Sequence, residues 1–412
     1  MNDQPQSEVN PGMNVDARLA FPGWIRLASI LAVVIGAAAA IIGFLTAPVV
    51  ESWLWLVVWF LVFGGAAQGV LVWAAIFGVA QARWTPAVNR LGHSTIGFLP
   101  IVLGILVVLL LGVRFYVPWV WNPLPEKAAW LNIPFMIIRN LAAMALMVLL
   151  SFILVRWSLE ADAAVARGED LSRNLHYRLN SVAVAITIAY PFVFTLISYD
   201  FIMSLWPTWF STMFGPYYFT TNIYMSLAVL VVMGVLLGSH LRVGRYLGPD
   251  QFNDLGNLML GFSLFSMGLF FAQYLTIWYA NLPIETDFII FRYLRGPWVP
   301  LGWAAFIIGY VVPFLLLQSR TLKRRPRWLF WVALLVIAGV ALERYVLVVP
   351  SVMYALDRPG HLLLFPVSAL MGLGFLGALV LAVLAFLRRY PAISAADEAL
   401  KEIYDREEEV LV

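Results

Sequence analysis

The sequence predicts an all-α polytopic membrane protein with about ten transmembrane helices. Of its 412 residues, 62% are hydrophobic and only 12% are charged, and the mean hydropathy is +0.86. A soluble globule cannot bury so much apolar surface. Lipid tolerates only helices and closed barrels, and the apolar runs in this chain are too long and too apolar for barrel strands.

Each apolar run is close to the roughly 20 residues that a transmembrane helix needs. Polar or proline-bearing segments separate the runs, for example at 122–125, 248–250 and 325–327. The predicted helices are 24–46, 52–80, 91–113, 134–155, 181–202, 217–241, 255–279, 298–317, 328–349 and 362–387. We expect an N-terminal tail, 1–23, a membrane domain, 24–387, and a C-terminal tail, 388–412.

The distribution of Lys and Arg predicts the orientation in the membrane. Most of these cations lie in the even-numbered connections and in the tails, and the odd-numbered connections carry only Arg114, Lys127, Arg292, Arg295 and Arg358. Cytoplasmic loops of membrane proteins carry an excess of Lys and Arg. We therefore expect both termini to be cytoplasmic and the odd-numbered connections to lie on the outer side.

An aromatic connection, 199–220, follows the fifth predicted helix and lies on the outer side in this orientation. Because Trp and Tyr favour the membrane interface, one interpretation is an aromatic belt. The other is a rigid platform on which a partner subunit docks, formed by Trp206, Trp209, Phe210, Tyr217 and Tyr218. Long outer connections of similar character recur at 116–132 and 278–298.

Polar residues inside the predicted spans are costly, and they are therefore candidates for function. The outer candidates are Arg139, Asp200, Gln273, Glu285, Glu343 and Arg344. The inner candidates are His93, His240 and Asp254, with Gln68 in the middle of a span. An inner and an outer half-path separated by Gln68 is a pattern expected of a proton route. The alternative is structural: Arg139 pairs with Asp200 or Glu343 and locks the bundle, while the histidines lie at helix ends.

The sequence predicts no covalently bound cofactor, no metal site and no nucleic-acid partner. Cysteine is absent, which excludes disulfides, cysteine-ligated iron–sulfur clusters and thioether-attached haem. Only His93 and His240 match in depth as axial haem ligands, and their spacing does not support such a pair. The chain has no Walker-type loop and no Gly-x-Ser-x-Gly motif. Any redox cofactor is therefore expected on another chain, or bound to this one without thiolate ligands.

Two segments resemble the NrfD/PsrC-like family of membrane subunits from quinone oxidoreductases. They are DFIMSLWPTWFSTMFG at 200–215 and QYLTIWYANLPIE at 273–285. Within that family the chain is more similar to the compact ActF type of alternative complex III. The resemblance implies two four-helix bundles, helices 2–5 and 6–9, with helices 1 and 10 at the flanks. It also implies a bacterial cytoplasmic membrane and partner subunits: an ActC-like quinol-binding subunit, and an iron–sulfur subunit and haem c subunits on the outer side.

For function, the resemblance implies a subunit that carries no electrons and that couples quinol oxidation in its neighbour to proton movement or to assembly. Arg139 and Arg344 would then set the electrostatic potential around Glu343, Asp200 and Glu285. Direct quinone binding by this chain is an alternative, with Glu343 or Asp200 as a lone base. Two further alternatives are a secondary transporter, which would typically have broken helices at corresponding positions of two repeats, and a purely structural anchor.

Overall fold

The computed structural model describes residues 22–82, 86–169, 173–238, 247–358, 365–394 and 396. This part of the chain is helical without strands, and it contains 10 helices that are long and apolar enough to cross a membrane. We number them α1 to α10: Gly23–Thr46, Val49–Val79, Ala87–Leu111, Ile133–Ala166, Arg173–Leu205, Phe214–Gly238, Pro249–Ala280, Val299–Leu317, Pro326–Ala355 and Pro366–Arg389. The prediction of an all-α polytopic membrane protein is confirmed.

The helices differ from the predicted spans mainly at the ends that are predicted to face the cytoplasm. α4 continues to Ala166 and α5 begins at Arg173, because the charged residues there lower the hydropathy without disfavouring a helix. The start of α4 is set by Asn132, whose side chain accepts a hydrogen bond from the Phe135 backbone N–H at 2.9 Å. α10 ends at Arg389, so the first residues of the predicted C-terminal tail belong to that helix.

The helices pack as two groups of four that meet along α6. In the first group α2 and α4 each pack against α3 and α5, and in the second α7 and α9 each pack against α6 and α8. α6 also packs against α2 and α5. Gly65 and Gly69 of α2 permit this contact, because a Cβ added at Gly65 would lie 2.6 Å from Asn222 Oδ1 and one at Gly69 would lie 2.8 Å from the Ser226 side chain.

α1 and α10 form a separate pair at the flank of the first group. Their backbones touch, because a Cβ added at Gly36 would lie 2.4 Å from Gly374 Cα. Trp59 of α2 attaches α10 by donating from Nε1 to Ser368 O at 2.9 Å. Only 22% of the most apolar window of α1 is buried within the chain, so most of this helix is available to lipid.

Candidate functional site

Glu343 of α9 lies inside the second group of helices and is only 2% exposed. The Tyr217 hydroxyl donates to Oε1, and the Tyr310 hydroxyl donates to Oε2 at 2.6 Å. Arg344 Nη1 contacts Oε1 at 3.3 Å. A buried carboxylate is stable only when it has hydrogen-bond donors and a balancing charge. These groups, from α6, α8 and α9, provide both, and we call them with Glu343 the Glu343 cluster.

Most of the hydrogen bonding of Arg344 goes to neutral groups on α6. Its Nη2 donates to Thr221 Oγ1 at 2.5 Å and to Asn222 Oδ1 at 3.0 Å, and its guanidinium carbon lies 4.4 Å from the centre of the Tyr218 ring. Arg344 is fully buried. The arginine therefore does not form the two-pronged pair with Glu343 that makes carboxylate–guanidinium bonds strong.

An irregular turn in α8 positions Tyr310. The turn, Ile307–Val311, has π-helical hydrogen bonding, and such turns are frequent at functional sites. Pro313 has no N–H to donate to Gly309 O, the carbonyl four residues before it. The Tyr224 hydroxyl donates to that carbonyl at 3.1 Å, and the Tyr224 and Tyr310 rings stack with centroids 5.7 Å apart. The orientation of Tyr310 towards Glu343 is thus supported by α6.

Several buried polar atoms on α6, α7 and α9 have no hydrogen-bond partner within the described part of the chain. They include Tyr218 Oη, Asn222 Nδ2 and Arg344 Nε, together with Oγ of Ser263 and Ser266 on α7. Buried polar groups that protein atoms do not satisfy are usually satisfied by internal water. These three helices therefore carry buried polar atoms that internal water can satisfy.

The aromatic connection between α5 and α6 packs over the end of the second group that is predicted to face the outer side. Trp209 stacks on Phe288 with ring centroids 3.8 Å apart, and Trp206 stacks on Tyr354 at 4.6 Å. Phe288 belongs to a connecting helix between α7 and α8, Pro283–Tyr293. We call these four rings the aromatic seal.

The burial of these side chains contradicts the prediction that they form an exposed docking platform. Trp206, Trp209, Tyr217 and Tyr218 are at most 6% exposed, whereas Phe210 is 58% exposed. Aromatic side chains suit a protein interior as well as a membrane interface. Here the connecting helix packs on Trp206 and Trp209, while Tyr217 and Tyr218 lie against Glu343 and Arg344. Of the five residues of the expected platform, only Phe210 is exposed to a partner.

Arg292 is a fully buried residue that the sequence analysis placed only among the outer cations. Its Nε donates to Val346 O at 3.0 Å and its Nη2 donates to Ser351 Oγ at 2.5 Å. Pro350 has no N–H for Val346 O, so Arg292 replaces a missing helical hydrogen bond. Burial lowers the pKa of Arg292 to about 9, which leaves the side chain charged at neutral pH. The proline inside α9 was the one signal in the sequence for such a donor.

The first group of helices contains a different carboxylate site. Arg139 binds both oxygens of Asp200, from Nε to Oδ2 at 2.7 Å and from Nη2 to Oδ1 at 2.5 Å, and Asn140 Nδ2 donates to Oδ2 at 2.5 Å. The guanidinium also lies 4.1 Å from the centre of the Trp130 ring. Arg139 therefore pairs with Asp200 and not with Glu343, and this pair has the strong bidentate geometry.

The structure does not bring the inner candidates together. His93 of α3 is buried beside a cavity of the first group, whereas Asp254 is half-buried on α7 of the second. His240 lies outside the described residues. Gln68 donates from Nε2 to Ser151 Oγ at 3.0 Å and so ties α2 to α4.

The last two outer candidates lie outside the Glu343 cluster. Gln273 is buried on α7, and Glu285 is half-buried on the connecting helix. Neither side chain makes a hydrogen bond to Glu343, Arg344, Arg139 or Asp200 within the described residues.

Fold and site together define a polytopic helical membrane protein in which the buried carboxylates Asp200 and Glu343 have unlike surroundings. No protein-family model matches this sequence, and no curated protein is significantly similar to it. Among the described residues, no group of three or more His, Asp or Glu side chains is placed to hold a metal ion.

Proposed function

We propose that this chain is a membrane subunit of a quinol:electron acceptor oxidoreductase of the alternative complex III type, and that it moves protons through Glu343. It carries no redox group, and iron–sulfur clusters and haem c are held by partner subunits on the outer side. The resemblance of the segments 200–215 and 273–285 supports the type of complex. The Glu343 cluster supports the role within it.

The contrast between the buried carboxylates Asp200 and Glu343 carries this proposal. Asp200 is held at both oxygens by one guanidinium, at 2.5 and 2.7 Å. Glu343 has a single contact with Arg344 at 3.3 Å, and its other donors are neutral hydroxyl groups. A close bidentate cation opposes protonation of a carboxylate more strongly than neutral donors do. The contacts of Glu343 therefore make it the candidate for proton transfer, whereas Asp200 serves as the fixed partner of Arg139.

The neighbours of Glu343 suggest how the proton moves. A tyrosine hydroxyl both donates and accepts, so Tyr217 or Tyr310 can pass a proton to a carboxylate oxygen while it accepts another. The aromatic seal blocks exchange with the outer side directly above the cluster. The proton would instead reach Glu343 along the unpartnered polar groups of α6 and α7, such as Tyr218, Asn222 and Ser263.

Purification of the tagged full chain from its native membrane tests the proposed complex. Quinol-oxidising activity, haem c and iron–sulfur subunits are expected to copurify with it. Purification of the chain alone, with substrate uptake after reconstitution, would instead indicate a transporter. This experiment does not depend on the role of Glu343, which the variants test separately.

Replacing Tyr310 by Phe is expected to slow proton movement by the reconstituted complex severalfold. The change removes the donor to Glu343 Oε2 but keeps the ring that stacks on Tyr224, and a lost buried hydrogen bond costs about 1–3 kcal/mol. Proton uptake per electron in liposomes measures the effect. Tyr274→Phe is the matched control, because Tyr274 is a half-buried tyrosine of α7 outside the cluster. Equal proton uptake in the Tyr310 variant and the control would exclude Tyr310 from the route.

A second candidate function, direct quinone binding, is favoured by a cavity at the outer end of the first group. The cavity has a volume of about 450 Å³, and its walls include Trp130, Tyr199, Met203 and Phe210. Aromatic and methionine walls suit the flat apolar ring of a quinone. Of the two bases expected for this function, Asp200 has both oxygens occupied by Arg139 and Asn140, and Glu343 lies in the other group of helices. Glu126 is the carboxylate that lines the cavity among the described residues.

Met203→Trp separates the two functions, because the larger ring reduces the space in this cavity. Under the proton-transfer proposal quinol binds to a neighbouring subunit, so we expect the quinol oxidation rate and KM of the complex to change less than twofold. Met213→Trp is the control, since Met213 lies on the same connection but not among the described residues that line the cavity. A tenfold rise in KM for quinol in the Met203 variant alone would place the quinone in this chain.

A further inference from the structure

A second cavity lies at the inner end of the first group of helices, where α2, α3, α4 and α5 meet. Its volume is about 260 Å³, far more than the roughly 10–15 Å³ that one water molecule needs. Arg90 and His93 of α3 form a buried part of its wall, being 0% and 7% exposed. His176 and Asn180 of α5 line it from exposed positions. The cavity therefore has a buried basic side and an open mouth.

The buried side offers hydrogen-bond donors that the described residues do not use. Arg90 pairs with Asp162 of α4 through Nη2, but its Nε and Nη1, both donors, are buried without a partner. His93 Nδ1 is also buried without a partner, and it donates or accepts according to the tautomer. A guanidinium has five N–H donors in a fixed fork. Leaving such donors buried and unsatisfied costs free energy, so the site favours a ligand that brings acceptors.

The carboxylate nearest to Arg90 is already engaged by other groups. Asp162 Oδ1 accepts from Ser394 Oγ at 2.5 Å and from the Ala396 backbone N–H at 3.2 Å, while Oδ2 faces Arg90. No Asp or Glu is among the described residues that line the cavity. An anion in the cavity would therefore meet donors on its walls without direct repulsion from a lining carboxylate.

We propose that this cavity binds a phosphate group, supplied either by the headgroup of an anionic phospholipid or by free inorganic phosphate. Phosphate oxygens accept hydrogen bonds on every side and match the donor fork of arginine. Arg173 and Arg178 lie on the same first turns of α5 as His176, and they raise the local concentration of anions at the mouth. The proposal is independent of proton transfer through Glu343, which belongs to the other group of helices.

Titration calorimetry with inorganic phosphate tests the site on the full chain in a neutral detergent and a chloride buffer. Arg90→Gln is expected to weaken binding at least tenfold. His176→Leu is expected to weaken phosphate binding severalfold. Because His176 is exposed, this change leaves the buried Arg90–Asp162 pair intact. The test therefore holds even where the Arg90 variant fails to fold. Arg324→Gln is the control, because Arg324 pairs with Asp250 at the surface of the second group, at 3.0 Å.

Native mass spectrometry distinguishes the two sources of phosphate. The chain is released from nanodiscs of phosphatidylglycerol or of phosphatidylcholine. If a lipid supplies the phosphate, one phosphatidylglycerol stays bound to the wild-type chain and is lost from the Arg90 and His176 variants. If free phosphate is the ligand, only the calorimetric signal is present and depends on the same two residues. Absence of both signals, or equal binding in all variants, would overturn the proposal.

Discussion

Glu343→Gln is expected to lower the number of protons moved per electron severalfold, while the assembled complex continues to oxidise quinol. Glutamine has nearly the size of glutamate, and its carbonyl oxygen still accepts a hydrogen bond from a tyrosine, but its amide cannot take up a proton at neutral pH. Electrons are expected to pass through partner subunits. Proton movement should therefore fall while electron transfer persists.

The stability of the Glu343 variant should fall less than in an ordinary broken ion pair. Removing one partner of a buried ion pair typically costs about 3–5 kcal/mol. Arg344 keeps its contacts with Thr221, Asn222 and the Tyr218 ring, which limits that cost. Thermal unfolding of the purified complex checks this point. Glu285→Gln on the outer connecting helix is the matched control, and its proton-to-electron ratio should equal that of the wild type.

Asp200→Asn is expected to destabilise the chain by about 3–5 kcal/mol, because it leaves the buried guanidinium of Arg139 without its counter-charge. The two bonds from Arg139 and the bond from Asn140 join α4 to α5 at this point. The consequence should be a much lower yield of assembled complex in membranes and a lower unfolding temperature. The activity per assembled complex should change little.

The double variant Arg139→Gln with Asp200→Asn is the control for this charge effect. Removal of both charges replaces an uncompensated buried cation by two neutral amides, so part of the lost stability should return. Normal yield and normal unfolding temperature in Asp200→Asn alone would show that this pair does not hold the first group together. Loss of proton movement with normal assembly would move the proton-transferring role from Glu343 to Asp200.

The helical spans were predictable because hydropathy reports depth in the membrane along each helix. Hydropathy does not report how a helix is rotated about its own axis or which other helices it packs against. Arg139 had two carboxylates of suitable depth, and only the packing of α4 on α5 selected Asp200. The prediction that Trp206 and Trp209 form an exposed platform was wrong for a related reason, since tryptophan suits a membrane interface and a protein interior equally.

The hydrogen-bond partners of Glu343 also could not be predicted from the sequence. Tyr217 lies 126 residues away in the sequence and Tyr310 lies 33 residues away. Tyr217 was predicted to lie on the outer surface as part of the aromatic connection 199–220, and Tyr310 was not singled out. The π-helical turn that directs Tyr310 has no sequence signal beyond Pro313 close after it.

Infrared difference spectroscopy of the working complex tests the central claim most directly, because it detects protonation of a single carboxyl group. When quinol is supplied, we expect a band of a protonated carboxyl group that shifts in heavy water, is absent in Glu343→Gln and is retained in Glu285→Gln. The same band in the Glu343 variant, or no such band in the wild type, would contradict the claim that Glu343 carries the proton.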